Sequence, residues 1–224
     1  MFLEMSSLKI EIIPVTPIYQ NCTLVWNKDN NIGVAIDPGA YVDTILSAIQ
    51  TNHIDIQAIL LTHGHFDHVG GAMLLQEKLG QIYNRAVPLL GPSKEDLFLL
   101  SKVVENCNHF GFPTSEIRDV KPSRFLKDKE RLTFDGINFE VIHIPGHTPG
   151  HIVYFEPSAR LLITGDTLFK GTIGRSDWEY GNGALLIKSI KERLLTLGDD
   201  IYFIPGHGMG STIGVEKKTN PLLT

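Results

Sequence analysis

Cysteine is scarce in this chain of 224 residues: Cys22 and Cys107 are the two present, far apart and outside any C-x-x-C pair. That spacing excludes a disulfide framework and a thiolate zinc knuckle, and reads as two free thiols in a reducing compartment. No block or stripe of lysine and arginine occurs, and the net charge is −5, which argues against a nucleic-acid partner. No run of 18 apolar residues exists, so no membrane span is expected. The opening MFLEMSSLKIEIIPV has no basic stretch before an apolar core and no small-residue cleavage site, so no secretory signal is expected and a cytoplasmic location is. No low-complexity linker or tandem repeat divides the chain, and residues 1–224 read as one domain.

What is present in excess is histidine, nine in all, mostly in short glycine-bearing segments. The periodicity of apolar residues places those segments. β-Branched, apolar runs predict strands at Lys9–Val15, Cys22–Trp26, Ile32–Ile36 and Ala58–Leu61. Asp37-Pro38-Gly39 reads as a turn. Val42, Ile45, Leu46 and Ile49 share a helical face, a short helix is expected over Gly71–Leu79 with Gly80 as its stop, and another from about Lys94 to Asn108, with Ser93 and Asp96 resembling a capping pair. Strands resume at Arg131–Phe134, Ile137–Ile144, His151–Phe155 and Leu161–Thr164, the first two joined by the hairpin signal Asp135-Gly136. Asn182 is placed to cap a helix carrying Leu186, Ile190, Leu194 and Leu197 on one face and ending at Gly198, before a last strand at Ile201–Ile204. Interleaved strands and helices with hairpins imply mixed sheets, and a two-sheet sandwich with external helices fits them.

Four of these strands end alike. Ala58–Leu61 runs into THGHFDH, Val141–Ile144 into PGHTPGH, Leu161–Thr164 into GD and Ile201–Ile204 into PGHG. Glycine lets a loop bend sharply and lets backbone approach a site closely. In the first segment His63 and His65 lie two apart, so an extended chain presents both on one face, and Asp67 and His68 continue into a turn. Imidazole and carboxylate are ligands for zinc, iron or manganese. Three His and one Asp within residues 63–68 exceed what one ion needs from one segment, which points to two metals completed by His147, Asp166 and His207. Outside these segments, His53, His109 and His143 read as surface or hydrogen-bonded polar residues.

The pattern H-x-H-x-D-H followed by a His, an Asp and a last His resembles the metallo-β-lactamase superfamily. THGHFDHVGG, GHTPGH, GDTLF, IGRSD, PGHG and STIGVEKKTNP look like the glyoxalase II-type thioester hydrolases, in the short bacterial form of the hydroxyacylglutathione hydrolases. The resemblance runs from Asn21-Cys22 to Asn220-Pro221. It implies an α/β, four-layer αββα sandwich with the site at one edge of both sheets. It implies that His63, His65 and His147 hold a first divalent ion, that Asp67, His68 and His207 hold a second, and that Asp166 bridges them. Zinc is the expected metal, with iron or manganese as alternatives. Asp67 and Asp166 would take part in catalysis, and a hydroxide shared by the metals would attack the thioester of S-lactoylglutathione, as in methylglyoxal detoxification. His151 matches a motif position without being a ligand, and is expected to support the site. Arg175 has two readings: a contact to the glutathione moiety, or a buried arginine paired with Asp177. The partner expected is a small-molecule thioester, and the chain a monomer or small homo-oligomer.

Rival functions stay open at this point. A mono-iron persulfide dioxygenase shares the Gly-Arg-x-Asp motif, lactone and phosphodiester hydrolases use similar metal pairs, and a non-catalytic binding protein could keep the fold. A β-lactamase fits less well, because those enzymes carry Cys or Ser where Asp166 stands.

Overall fold

A computed structural model describes all residues, Met1–Thr224. The strands, in chain order, are β1 (Phe2–Met5), β2 (Leu8–Val15), β3 (Gln20–Asn27), β4 (Ile32–Ile36), β5 (Asp55–Leu60), β6 (Leu89–Leu90), β7 (Arg131–Phe134), β8 (Ile137–His143), β9 (Ile152–Glu156), β10 (Leu161–Gly165), β11 (Leu168–Phe169), β12 (Thr172–Ile173), β13 (Tyr202–Pro205) and β14 (Ser211–Thr212). They build a first sheet in the order β1-β2-β3-β4-β5-β6 and a second in the order β14-β13-β10-β9-β8-β7, plus the β11–β12 hairpin. The helices are α1 (Val42–Thr51), α2 (Phe66–Val69), α3 (Ala72–Tyr83), α4 (Leu97–Leu100), α5 (Val103–His109), α6 (Gly183–Ser189) and α7 (Ile213–Thr219).

Alternation along each strand makes three apolar layers, because successive side chains point to opposite faces. In β9, Ile152 and Tyr154 face the first sheet while Val153 and Phe155 face the helix layer outside the second. In β3, Val25 points between the sheets, and Cys22, Leu24 and Trp26 point outward to pack with Val42, Ile45 and Ile49 of α1. Leu186, Ile190 and Leu194 cover the outside of the second sheet. Each large aliphatic so buried contributes roughly 1.5–3 kcal/mol. Helix, sheet, sheet and helix are the four layers expected.

The details differ in places, for physical reasons. Helix α3 does not stop at Gly80. It runs to Tyr83 and ends at Asn84, whose φ of 49° is the left-handed conformation that Asn tolerates. The helix expected from Lys94 to Asn108 is three pieces: a 3-10 turn at Lys94–Asp96, α4 and α5. The chain turns at Ser101 and Lys102, and Asp119 Oδ1 accepts from Val104 N (3.0 Å) to start α5 afresh. Ser93 does not cap; its hydroxyl bonds to Glu95 instead. The Asn182 cap is present, its side chain accepting from Leu185 N at 2.9 Å, but past Ser189 the helix widens into a π turn at Ile190–Leu194. Asp67 and His68 lie in the short helix α2 rather than an open turn. The edge strands β1, β6 and β14, the β11–β12 hairpin and helix α7 lack a periodic signal long enough to be read locally.

The topology sets up one functional edge. β4, β5 and β6 run parallel to one another, and so do β10 and β13. β8 shares their direction because it is antiparallel to β9, which is antiparallel to β10. The C-terminal ends of β8, β10 and β13 therefore lie on one side of the second sheet, and contacts between the residues that follow them and those that follow β5 bring all four segments together.

Candidate metal centre

The structure brings all seven predicted residues together. His63 Nε2 lies 3.1 Å and His147 Nε2 lies 2.9 Å from His65 Nδ1. His207 Nε2 lies 3.1 Å and His68 Nε2 3.6 Å from Asp67 Oδ2. Asp166 stands between the groups: Oδ1 is 3.3 Å from His68 Nε2, and Oδ2 is 3.7 Å from His147 Nε2 and 3.8 Å from His207 Nε2. Three groups of donor atoms could hold a metal ion: His63, His65 and His147; Asp67, His68 and His207; and Asp37, His63 and His68.

Hydrogen bonds behind the rings decide which nitrogens face inward. His147 Nδ1 donates to Arg175 O (2.6 Å) and His207 Nδ1 to Ile18 O (3.2 Å), since a carbonyl only accepts. His68 Nδ1 donates to Asp37 Oδ2 (2.8 Å). Thr62 Oγ1 donates to the same carboxylate (2.5 Å), so it must accept from His63 Nδ1 (3.0 Å). His65 Nε2 meets Tyr180 Oη at 2.9 Å. With each neutral ring holding its one proton on the outer nitrogen, the inner nitrogens are bare lone pairs. Three of them converge from His63, His65 and His147. Tetrahedral zinc with bonds near 2.0–2.1 Å would space its nitrogens about 3.3 Å apart, close to what is seen.

The second group has the same demand for positive charge. His68 Nε2 and Asp166 Oδ1 are buried, lack hydrogen-bond partners and face each other. Two lone pairs at that distance repel unless a cation or proton lies between them. The electrostatics agree. Burial disfavours a charged His68, yet Asp166 and Asp67 outweigh it and hold its pKa well above 6.5. Burial likewise opposes ionisation of Asp166, and His68, His147 and His207 drive its carboxyl far below the usual range. Where carboxylates are more distant, burial wins: His65 falls to about 3, by desolvation and then the charge of His147. The donor set and these unpartnered atoms fit a pair of divalent cations.

Further residues support the cluster, and sequence reasoning missed most of them. From sequence, Asp37 reads only as part of a turn. It follows β4, accepts from Thr62 N (2.7 Å) and steers both His63 and His68. Its signal is present in the sequence: an acid directly after a strand, two residues before a glycine, much as in the four segments already singled out. Asp96, a capping acid by its sequence position, is fully buried and joins two loops. Its Oδ2 accepts from Gly64 N and Thr148 Oγ1 (both 2.8 Å) and its Oδ1 from Gly150 N (2.6 Å). A Cβ at Gly150 would overlap that carboxylate. Asn21 Nδ2 donates to Pro205 O and Gly208 O, bracketing His207. His151 is buried, stacks on His63 with ring centroids 4.6 Å apart, and accepts from Asp166 N at 3.0 Å, which is a supporting role.

Outside the cluster, His53 and His109 are exposed and His143 donates to Pro149 O (2.8 Å). Arg175 is paired with Asp177, but it is exposed rather than buried, its guanidinium 3.9 Å above the Trp178 ring. Cys22 and Cys107 are buried and unpaired. No helix is long and apolar enough to cross a membrane.

Comparison with known proteins agrees with this geometry. The chain is 44% identical over 217 residues to the hydroxyacylglutathione hydrolase GloC of Haemophilus influenzae, covering 96% of this chain and 98% of the relative. It is 32% identical to the probable metallo-hydrolase YqgX of Bacillus subtilis, covering 94% and 95%. Among solved structures, TTHA1623 in a di-iron-bound form superposes with a TM-score of 0.82 at 34% identity, covering 95% of this chain and 100% of that one. The B3 metallo-beta-lactamase BLEG-1 superposes at 0.85 with 31% identity, covering 96% and 99%. Residues 15–207 match the family model of the metallo-beta-lactamase superfamily, and the chain belongs to that superfamily.

Proposed function

We propose that this metallo-hydrolase cleaves a thioester, S-lactoylglutathione in the first instance, with two divalent ions held at the edge of the sandwich. The observation that carries the reading is the pair of convergent lone-pair sets that share Asp166. His63, His65 and His147 would hold one ion, Asp67, His68 and His207 the other, and Asp166 both; zinc suits these donors, as do iron and manganese. When bound, such a pair supplies Lewis acidity and a water acidified toward neutrality.

The chain's own residues do the rest. Asp166 and Asp67 set the negative charge of the site, and Asp67 would orient the attacking water. Asp37, Thr62, Arg175 O and Ile18 O keep protons on the outer ring nitrogens, so that the inner ones stay available. Arg175 would meet the anionic end of a glutathione-type thiol from its exposed position. A protein nucleophile is disfavoured: burial pushes both cysteine thiols up, Cys22 far up, which leaves little thiolate. The leaving thiolate needs little help, because thiols are fairly acidic. The relative from Haemophilus influenzae, matched along nearly its whole length, supports glutathione thioesters. One domain acting in the cytoplasm accords with this role.

His65→Ala should lose metal and thioester hydrolysis together. Hydrolysis of S-lactoylglutathione at the wild-type rate by metal-free variant would end this reading. Metal analysis of the wild type separates the rivals, since one iron per chain favours a dioxygenase and no metal a binding protein. A second reading, β-lactam hydrolysis, draws on the BLEG-1 likeness, and turnover of a chromogenic β-lactam tests it.

A further inference from the structure

A cavity of about 130 Å³ opens beside the site, with Asp67 as one wall and Phe66, Phe112, Ile117, Ala40 and Pro17 among the others. It lies on the side of the Asp67, His68 and His207 group. The opposite lip of the site carries Arg175, stacked over Trp178, and Tyr180 against His65. The two sides thus differ in chemistry, ionic and aromatic near His65, where Asp177 pairs with Arg175, and largely apolar near Asp67. The polar groups of the cavity are either engaged or at its rim. Glu116 Oε2 accepts from Val42 N (3.2 Å), Cys107 Sγ is directed at Pro113 O (3.8 Å), and Tyr41 and Ser115 are exposed.

We infer that this cavity is the acyl subsite, and that it takes a short unsubstituted aliphatic acyl group. The inference rests on the thioesterase reading. A thioester whose carbonyl sits between the two groups of donors has two arms. The thiol arm, if it ends in carboxylates as glutathione does, is drawn to Arg175. The acyl arm then points the other way, past Asp67. At about 30 Å³ for each water-sized group, the cavity has room for about four methyl or methylene groups. A lactoyl group would leave part of that space empty and would set its hydroxyl against Phe66, Phe112 or Ile117. A butyryl to hexanoyl chain would fill it. Each methylene removed from water contributes about 0.8 kcal/mol, close to fourfold in kcat/KM while the cavity is filling.

The test uses fully metallated protein and acyl thioesters of one thiol: acetyl, lactoyl, butyryl, hexanoyl and decanoyl glutathione. The expected result is a rise of about fourfold per methylene from acetyl onward that levels off by hexanoyl. Ala40→Leu, which fills the cavity, should bring the butyryl-to-acetyl ratio of kcat/KM toward one, and Phe112→Ala, which enlarges it, should move the plateau to longer chains. Binding of the non-hydrolysed S-methyl and S-hexyl thioethers of the same thiol, by calorimetry, should show the same preference and the same loss in Ala40→Leu. Thermal unfolding checks that both variants are folded. Hydrolysis with no dependence on chain length, or a dependence that survives in folded Ala40→Leu, overturns the acyl subsite and leaves the thioesterase reading standing. No hydrolysis of any thioester by metallated wild type overturns both.

Discussion

Replacing Asp37 by asparagine tests whether the proton on His68 governs metal binding. The carboxylate accepts from Thr62 N at Oδ1 (2.7 Å), and from Thr62 Oγ1 (2.5 Å) and His68 Nδ1 (2.8 Å) at Oδ2. As an acceptor only, it obliges His68 to keep its proton on Nδ1 and leaves Nε2 bare. An asparagine that holds its oxygen on Thr62 N turns its NH₂ toward the other two groups. That amide donates to His68 Nδ1, and the ring proton moves to Nε2, the atom 3.3 Å from Asp166 Oδ1. The lost bond to a charged acceptor is worth about 1.5–3 kcal/mol, or about tenfold to 150-fold in affinity. Loss of an outer partner of a metal-ligating histidine typically costs about 10–100-fold, which agrees. The damage should reach both ions: directly at His68 of the Asp67 and His207 group, and through Thr62 Oγ1, which would accept from the new amide and so donate toward His63 Nδ1 instead of accepting from it. Competitive titration against a chromophoric chelator reads both binding steps, and both should weaken, at least one of them by that factor. One bypass exists: Gln20 Nε2 is 3.3 Å from the same ring nitrogen, and Gln20 Oε1 is buried without a partner, so a turned amide could replace the acceptor. Asp37→Asn combined with Gln20→Met closes it. Two unchanged binding steps in the double variant would refute the tautomer argument.

Two further substitutions probe the frame around the cluster. Burial raises the Asp96 carboxyl from 3.8 to about 6 despite its bonds to Thr148, Gly150 and Gly64. A folded pKa above the unfolded one gives stability that is full below about 4 and lost as pH rises through about 6, amounting to roughly 3 kcal/mol. In urea unfolding of metal-free protein, wild type should therefore lose about 2 kcal/mol more than Asp96→Asn between pH 4 and pH 7, and parallel pH curves would contradict the assignment. Gly206→Ala puts a Cβ onto Asp166 Oδ1 and His68 Cε1. It should lower metal affinity on the order of tenfold or more, and equilibrium dialysis showing wild-type stoichiometry and affinity would count against a shared role for those two atoms.

The ligand-type residues are legible because each follows a strand whose apolar run is itself legible, and because several imidazoles and carboxylates recur together after those strands, as a metal site requires. The layered fold was legible for the same reason: alternation in β3 and β9 already assigns faces. Helix ends were less so. Gly80 carries no obligatory stop, since little crowds its Cβ position, whereas Asn84 can adopt the left-handed conformation that ends α3. The break at Ser101 and Lys102 depends on Asp119, a tertiary contact. Asp96 shows the limit most clearly. Its partners Gly64 and Gly150 lie 32 and 54 residues away, so no local pattern marks it as anything but a first-turn acid.

The candidate ligands come from both sides of the sandwich. His63, His65, Asp67 and His68 follow β5 of the first sheet, while His147, Asp166 and His207 follow strands of the second. Each proposed ion would therefore be a rivet through the seam between the halves. It could form only after the two sheets have docked, so the unfolded chain has no equivalent of it. Free metal would then act as a ligand of the native state alone, adding about 2.7 kcal/mol at a hundred times its dissociation constant. The same ions that serve catalysis would set how firmly the two halves of the molecule stay closed, and a chelator would loosen the seam before it touched either sheet.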